Sequence, residues 1–257
     1  MRAVILAGGS GTRMREETEF RPKPMVEIGG RPVLLHIMDN LARQGITDFV
    51  LLVGYKASLI KEYFLHLDAY THDFTISLGK NETFKIIGNH TRDWSVTVLD
   101  TGLDAETGLR LASAQKIVGS ERFFCTYGDG LASVSIDKLL QSHARAGAVG
   151  TMTVTQPSNR FGVVKIGDNL KVQEFREKPK MSDFINIGHF VFEPEVFDTL
   201  GENESLESGL LRALVARNEL NAYKHYGFWE PMDTYREYLL LNSLWESGEK
   251  PWVYDGG

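Results

Sequence analysis

The sequence predicts an α/β fold, a Rossmann-like and mostly parallel sheet with helices on both faces. Three continuous apolar runs, residues 3–6, 48–53 and 122–127, have the length of strands, and each precedes a segment with helical spacing. Strands that are apolar along their whole length are typical of parallel sheets covered on both faces. The sequence shows no repeat, low-complexity segment or linker, so we expect one domain over residues 1–257.

The first half of the chain follows this alternation. Gly45 fits the position just past the end of a helix, and Ser58 is expected to cap a helix that runs through residue 67. Residues 68–94 mix polar and aromatic residues without a clear period. The other predicted elements are strand 3–6, helix 33–44, strands 48–53 and 95–99, helix 107–118, strand 122–127 and helix 135–146.

The pattern changes after residue 150. Gly167-Asp168-Asn169 separates two short strand-like runs, which predicts a β-hairpin insertion. The ligand crevice should lie at the carboxyl ends of the parallel strands. The predicted elements here are strand 150–155, hairpin strands 161–166 and 171–175, strand 184–192, helix 205–217 and a C-terminal helix 234–247.

Composition narrows the class of protein. Apolar residues make up 42% of the chain and the formal net charge is -6, which fits a globular protein and argues against a nucleic-acid binder. The single cysteine, Cys125, lies in an apolar run and is expected to be a buried, inert thiol. The lack of a disulfide framework and of a signal-type N-terminus predicts a cytoplasmic protein, and no apolar run has the roughly 20 residues of a membrane span.

A glycine-rich loop follows the first strand. Its glycines let the backbone approach a ligand and direct N–H groups at phosphates, although a tight strand-to-loop turn is an equal alternative. It is not a P-loop, which needs Lys-Ser/Thr after the last glycine, nor a dinucleotide fingerprint, because Met14 replaces the third small residue. The loop reads Leu6-Ala7-Gly8-Gly9-Ser10-Gly11-Thr12-Arg13.

Positive charge is concentrated after this loop. Arg21-Pro22-Lys23-Pro24 places two cations nearby, with prolines that stiffen the backbone around Lys23. An acidic chain that takes an anionic substrate needs such local positive groups. The alternative is a solvated basic loop.

Two carboxylates are candidate metal ligands. Asp129, in Tyr127-Gly128-Asp129-Gly130, ends a strand where an α/β sheet builds its site, and Asp233 is the second candidate. Mg²⁺ takes one or two carboxylates together with phosphate oxygens. A plain turn at Asp129 and a helix N-cap at Asp233 are the structural alternatives.

Six motifs in order resemble the sugar-nucleotide pyrophosphorylases over residues 1–254, and most nearly their cytidylyltransferase branch. The resemblance implies a GT-A-like nucleotidyltransferase fold, CTP and α-D-glucose 1-phosphate as substrates, Mg²⁺ as cofactor, a homo-oligomer, and a product used for surface polysaccharides such as O-antigen. The motifs are Gly8-Gly9-x-Gly11-Thr12-Arg13, Glu16-Glu17-Thr18, Pro22-Lys23-Pro24-Met25, Tyr127-Gly128-Asp129-Gly130, Glu177-Lys178-Pro179 and Trp229-x-Pro231-Met232-Asp233-Thr234.

The resemblance also implies residue roles. Arg13, Lys23 and Asp129 would be catalytic, and Asp129 and Asp233 would hold Mg²⁺. The nucleotide would contact Leu6, Ala7, Gly8, Gly9, Ser10, Gly11, Thr12, Arg13, Lys23, Thr107, Arg110 and Gly128. The sugar phosphate would contact Glu177, Lys178, Asn186 and Gly188.

Several alternatives stay open at this point. Related cytidylyltransferases carry Gly where this chain has Ile187, which would place a branched side chain beside the sugar pocket. The same chemistry with dTTP, UTP or another sugar 1-phosphate is one alternative function. A non-catalytic nucleotide-sensing subunit is another.

Overall fold

The computed structural model describes residues 1–11, 14–78, 83–88 and 92–255, apart from the side chains of Arg15 and Glu16. The strands are β1 (Arg2–Ala7), β2 (Glu27–Ile28), β3 (Arg31–Pro32), β4 (Asp48–Val53), β5 (Phe74–Ser77), β6 (Thr83–Ile86), β7 (Ser95–Asp100), β8 (Phe123–Tyr127), β9 (Gly130–Ala132), β10 (Gly150–Thr155), β11 (Val163–Ile166), β12 (Val172–Arg176), β13 (Ile185–Phe192), β14 (Leu220–Lys224) and β15 (Trp229–Pro231). The α-helices are α1 (Arg15–Thr18), α2 (Val33–Ala42), α3 (Ala57–Leu65), α4 (Leu67–Thr71), α5 (Thr107–Ser113), α6 (Gln115–Val118), α7 (Ile136–Ala146), α8 (Leu210–Ala216) and α9 (Tyr235–Glu246). Short 3₁₀ helices cover Lys23–Met25 and Pro194–Thr199.

A seven-stranded sheet forms the centre of the fold, with the order β14-β10-β13-β8-β1-β4-β7. Strand β13 is antiparallel to both of its neighbours, while the other four pairs are parallel. From β1 the chain continues to β4 on one side, whereas β8 lies on the other side. The crevice of an open α/β sheet forms where the strand order reverses in this way, so it opens at the carboxyl ends of β1 and β8.

The two faces of the sheet carry separate hydrophobic cores. Ile5 and Leu51 point to one face and pack with α2, α7 and α9, while Val4 and Leu52 point to the other and pack with α5, α6 and α8. Helices therefore cover both faces, and the predicted fold class is confirmed. Cys125 is also buried, as predicted, and burial raises the pKa of its thiol.

Three helix predictions were wrong in their limits. Ser58 does not cap α3, because the helix begins one residue earlier, after Lys56 with a left-handed backbone (φ 48). The predicted helix 107–118 is interrupted at Ala114 into α5 and α6. The predicted helix 205–217 starts only at Leu210, because residues 206–209 form a turn, and Glu204 and Leu206 are bonded to the start of α5.

Some elements were absent from the sequence prediction. Strand β14 adds a parallel edge to the sheet, β9 pairs with β15, and β2 pairs with β3. Strands β5 and β6 form an antiparallel pair within residues 68–94, where the sequence showed no clear period. The predicted insertion is present as the antiparallel pair β11 and β12. No helix in the described ranges is both long and apolar enough to cross a membrane.

A buried histidine predicts acid sensitivity of the fold. His189 on β13 is 6% exposed, and burial first, with repulsion from His225, lowers its pKa from 6.5 to about 4. As the pH falls from 6.5 toward 4, the unfolded chain takes up this proton while the folded chain does not, so the free energy of unfolding falls. We expect His189 to contribute a loss of about 3 kcal/mol over this window.

Urea denaturation at pH 7 and at pH 4 measures this effect. The variant His189→Gln has no group to titrate at this position. The fall in its free energy of unfolding from pH 7 to pH 4 should therefore be smaller than that of the wild type by about 3 kcal/mol. An equal pH dependence in the wild type and in His189→Gln would contradict the prediction.

Candidate active site

Two adjoining cavities open at the carboxyl ends of β1 and β8. The central cavity is lined by Leu6, Ala7, Gly9, Gly11, Lys23, Pro24, Gly128, Asp129 and Asp233. The loop cavity is lined by Leu6, Gly8, Gly9, Ser10, Tyr55, residues 103–107, Arg110, Tyr127 and Asp129. The structure thus brings together every described residue of the predicted nucleotide site. Thr12 and Arg13 lie outside the described residues.

A short ladder brings the two aspartates together. Pro231 on β15 pairs with Gly130 on β9, and the Met232 amide donates to the Asp129 carbonyl at 2.9 Å. Each of the two strands has three residues. Asp129 directly precedes β9, and Asp233 follows β15 after one residue. Asp129 and Asp233, distant in sequence, therefore stand side by side at the crevice.

The alternative of Asp233 as a helix cap is wrong. Thr234 is the N-cap of α9, and it forms a capping box with Glu237. The Glu237 carboxylate also accepts the Asp233 amide at 2.7 Å. Capping thus fixes the backbone of Asp233 without using its carboxylate.

Lys23 lies between these two carboxylates. Its Nζ is 2.6 Å from Asp129 Oδ2 and also binds Asp233 Oδ1. Burial by itself would lower the pKa of Lys23, but the two carboxylates outweigh burial and hold the pKa above its usual value. The site therefore contains an ammonium group at a position where two carboxylates face one cation.

This arrangement fits a hard divalent cation. Two carboxylates that reach one ammonium can also reach one metal ion, and Mg²⁺ accepts one or two carboxylates with its other positions filled by water and phosphate. Groups of three or more His, Cys, Asp or Glu side chains suited to a metal are absent from the described part of the chain. The protein could hold such an ion only together with other oxygen ligands.

The Arg110 side chain packs against the glycine-rich loop at Gly8. Its guanidinium donates to the Gly102 carbonyl at 2.8 Å, to the Leu103 carbonyl at 3.2 Å and to the Thr101 hydroxyl. A Cβ atom at Gly8 would lie 2.3 Å from Arg110 Nη1, so the loop needs glycine for this approach. Arg110 is at the predicted place, but these bonds use much of its donor capacity.

Thr107 and Gly108 hold the turn that precedes α8. The Thr107 hydroxyl accepts the Leu206 amide at 2.8 Å, and the Gly108 amide donates to the Glu204 carbonyl at 2.9 Å. A Cβ atom at Gly108 would approach that carbonyl to 2.5 Å. The motif predicted to contact the nucleotide thus also joins the loop cavity to residues 204–207.

A third cavity, the turn cavity, lies beside the aspartates on the β13 side. Gly188 has φ +78, and a Cβ atom there would lie 2.3 Å from the Tyr127 ring. The Asn186 carboxamide oxygen accepts the Gly188 amide at 2.8 Å. The cavity is lined by Thr126, Tyr127, Asp129, Gly130, Asn186, Ile187, Gly188, His189, Glu207, Trp229, Pro231 and Asp233.

Ile187 lines the turn cavity, as the sequence predicted, but most of its surface is buried. It is 6% exposed and belongs to the hydrophobic core that includes α2 and α7. Its branched side chain therefore packs mainly in the core and contributes only part of its surface to the turn cavity.

The two remaining residues predicted to bind the sugar phosphate lie elsewhere. Lys178 lines an outer cleft with Arg160, Tyr226 and Arg236, while the exposed Glu177 has its carboxylate 3.9 Å from Lys178 Nζ. The structure does not place either residue in the cavity that contains Asn186 and Gly188. Lys178 also has a left-handed backbone (φ 43), which is costly for a residue with a side chain.

Several side chains of the turn cavity were not among the predicted site residues, and Glu207 and Trp229 are two of them. Trp229 begins the motif Trp229-x-Pro231-Met232-Asp233-Thr234, which was a signal for its place in the site. Glu207 lies in a stretch predicted to be helical, and nothing in its sequence surroundings distinguished it from a solvated surface carboxylate.

The sequence of this chain matches a known protein family and its members. A family model described as nucleotidyl transferase matches residues 2–243. A glucose-1-phosphate cytidylyltransferase from Salmonella typhimurium is 43% identical over 255 residues, covering 98% of each chain. A Bacillus subtilis protein named probable glucose-1-phosphate cytidylyltransferase is 40% identical over 254 residues, covering 98% of this chain and 99% of its own.

Solved structures agree at the level of the fold. HddC from Yersinia pseudotuberculosis, complexed with GMP-PN, has a TM-score of 0.69 and 19% identity, covering 95% of this chain and 99% of its own. This structural similarity shows the fold alone, whereas the sequence similarity over nearly the whole chain shows the family. This chain belongs to the nucleotidyl transferase family.

Proposed function

We propose that the protein transfers the cytidylyl group of CTP to α-D-glucose 1-phosphate, giving CDP-glucose and pyrophosphate. The observation that carries the proposal is the convergence of Asp129 and Asp233 on one cation beside the glycine-rich loop. The names of the Salmonella and Bacillus relatives support the choice of cytosine and glucose.

The chemistry needs positioning and charge neutralisation rather than a protein nucleophile. A phosphate oxygen of the sugar phosphate attacks the α-phosphorus of CTP, and the bond from that phosphorus to the leaving pyrophosphate breaks in line. Asp129 and Asp233 would hold Mg²⁺, which when bound neutralises charge on the triphosphate. Lys23, and Arg13 by resemblance, neutralise the phosphate oxygens, and backbone groups of the glycine-rich loop hold the nucleoside.

The sugar phosphate is proposed to bind on the β13 side. Asn186 and Gly188 line the turn cavity next to Asp129, which supports their assignment to the sugar. Lys178 and Glu177 stay predicted contacts of the sugar phosphate. The left-handed backbone of Lys178 supports a role for this loop, because such conformations concentrate at functional sites.

The test is pyrophosphate release with Mg²⁺ and glucose 1-phosphate, run separately with CTP, UTP, dTTP, ATP and GTP. We expect turnover with CTP alone. Turnover with another nucleotide would keep the reaction class and overturn the base assignment. Without turnover on any nucleotide, a panel of other sugar 1-phosphates decides between a different acceptor and a non-catalytic binder.

A nucleotide-sensing subunit is the second candidate. It would have no need to retain two carboxylates around a buried lysine, and Asp129, Asp233 and Lys23 are all in place. The transferase is therefore the better-supported proposal.

The setting of the enzyme is also proposed, as a cytoplasmic homo-oligomer. The antiparallel pair of β5 and β6 exposes Phe74, Ile76 and Phe84, and the hairpin of β11 and β12 exposes Val172 and Phe175. Exposed apolar patches commonly mark contacts between subunits, which supports association of copies.

A further inference from the structure

The turn cavity contains a carboxylate with no role in the proposed chemistry. Glu207 lines this cavity of about 280 Å³ together with Asn186, Gly188 and the two aspartates. Asp129 and Asp233 are matched by Lys23. Glu207 is thus a separate acidic group on the side of the cavity assigned to the sugar.

The position of Glu207 is fixed from two sides. The Tyr127 hydroxyl donates to Glu207 Oε1, and the Tyr127 ring lies against Gly188. The preceding residues 204–206 are bonded to Thr107 and Gly108 at the start of α5. A group held in this way loses little conformational freedom when it binds a ligand, which favours selectivity.

The carboxylate retains capacity to accept hydrogen bonds. Across the described ranges, the Tyr127 hydroxyl is its one hydrogen-bond partner. An ionised carboxylate accepts up to about four hydrogen bonds and donates none. Asn186 supplies the complement, because its oxygen accepts the Gly188 amide while its NH₂ group can donate.

Sugar hydroxyls match this pair of groups, because each hydroxyl both donates and accepts. We infer that Glu207, held by Tyr127, selects the acceptor sugar by accepting hydrogen bonds from its ring hydroxyls. The negative charge also orients the substrate, because the sugar phosphate is repelled by Glu207 and attracted toward Lys23. The inference rests on the proposed function and deepens it by naming a residue that determines sugar specificity.

Binding of CDP-glucose compared with CDP isolates the contribution of the sugar. Hydrogen bonds to charged groups contribute about 1.5–3 kcal/mol, so we expect Glu207→Ala to weaken CDP-glucose binding roughly ten- to hundred-fold in calorimetry. Binding of CDP should change less than about twofold. Glu202→Ala, which removes an exposed carboxylate on the same segment, is the matched control and should leave both affinities unchanged. An unchanged CDP-glucose affinity in folded Glu207→Ala would overturn the inference.

Deoxy sugars locate the hydroxyl that Glu207 binds. We expect one or two of the 2-, 3-, 4- and 6-deoxyglucose 1-phosphates to have a raised KM with the wild type, and Glu207→Ala to lose the penalty at those positions alone. Tyr127→Phe, which frees the carboxylate, should raise the KM of glucose 1-phosphate less than Glu207→Ala does. A penalty that persists at every position in Glu207→Ala would mean that Glu207 is merely structural.

The outcome is separable from that of the proposed function. If the wild type uses another sugar 1-phosphate, the proposed acceptor fails, but the same Glu207→Ala comparison applies to that sugar and its nucleotide product. If the wild type binds CDP-glucose without turnover, the calorimetry still decides the role of Glu207. If it binds CDP but gains no affinity from any sugar, the inference fails by itself.

Discussion

Asp129→Asn should lower kcat roughly 10³-fold while the chain stays folded. Asparagine keeps the shape of the side chain and loses the charge that a divalent cation needs. The Asp129 carbonyl, which accepts the Met232 amide at 2.9 Å, is untouched by the substitution, so the ladder of β9 and β15 should persist. Lys23 also keeps Asp233 as a partner, which limits the effect on stability.

Pyrophosphate release measures kcat, and thermal denaturation checks the fold. Asp137→Asn is the matched control, because Asp137 is an exposed aspartate in the first turn of α7, outside the cavities described above. Its kcat should equal that of the wild type. A folded Asp129→Asn protein with kcat within twofold of the wild type would remove Asp129 from the mechanism.

The central sheet was predictable because its strands are buried on both faces. Strands β4 and β10 have the predicted limits, and all but one residue of each is buried. Helix limits were less predictable where long-range contacts decide them. The turn before α8, for example, is anchored by Thr107, whose hydroxyl accepts the Leu206 amide, a bond between residues far apart in sequence.

The site was predictable residue by residue but not as an arrangement. Asp129 could be placed at a strand end from the pattern. The position of Asp233 depends on pairing between strands of three residues, too short to leave a periodic signal. The role of Glu207 could not be predicted from the sequence, because only the folded chain brings its carboxylate to the Tyr127 hydroxyl.

The contact of Lys23 with both carboxylates has a consequence for the order of binding. A metal ion held by Asp129 and Asp233 competes with the ammonium that binds them in the free protein. We infer that metal binding is weak until a triphosphate arrives, because phosphate oxygens give Lys23 a new partner and supply further ligands to the metal. Lys23 would then move from the carboxylates to the phosphates.

Lys23→Met should therefore have two opposite effects. It should lower kcat roughly 10²–10³-fold, because the triphosphate loses one of the positive groups that neutralise its charge. It should also strengthen binding of Mn²⁺, a probe for Mg²⁺, roughly tenfold or more in the absence of nucleotide, because Asp129 and Asp233 both lose their contact with the Lys23 ammonium. Electron paramagnetic resonance of free Mn²⁺ measures the second effect without any turnover.

Lys61→Met is the control that separates competition at the site from a general loss of positive charge. Lys61 pairs with Asp100 at the surface, at 2.8 Å, and removing it lowers the net charge by the same amount. Its Mn²⁺ affinity should match that of the wild type. If Lys61→Met and Lys23→Met strengthen Mn²⁺ binding equally, the effect is long-range electrostatics. If neither does, Lys23 does not compete with the metal ion for Asp129 and Asp233, and the inferred order of binding is wrong.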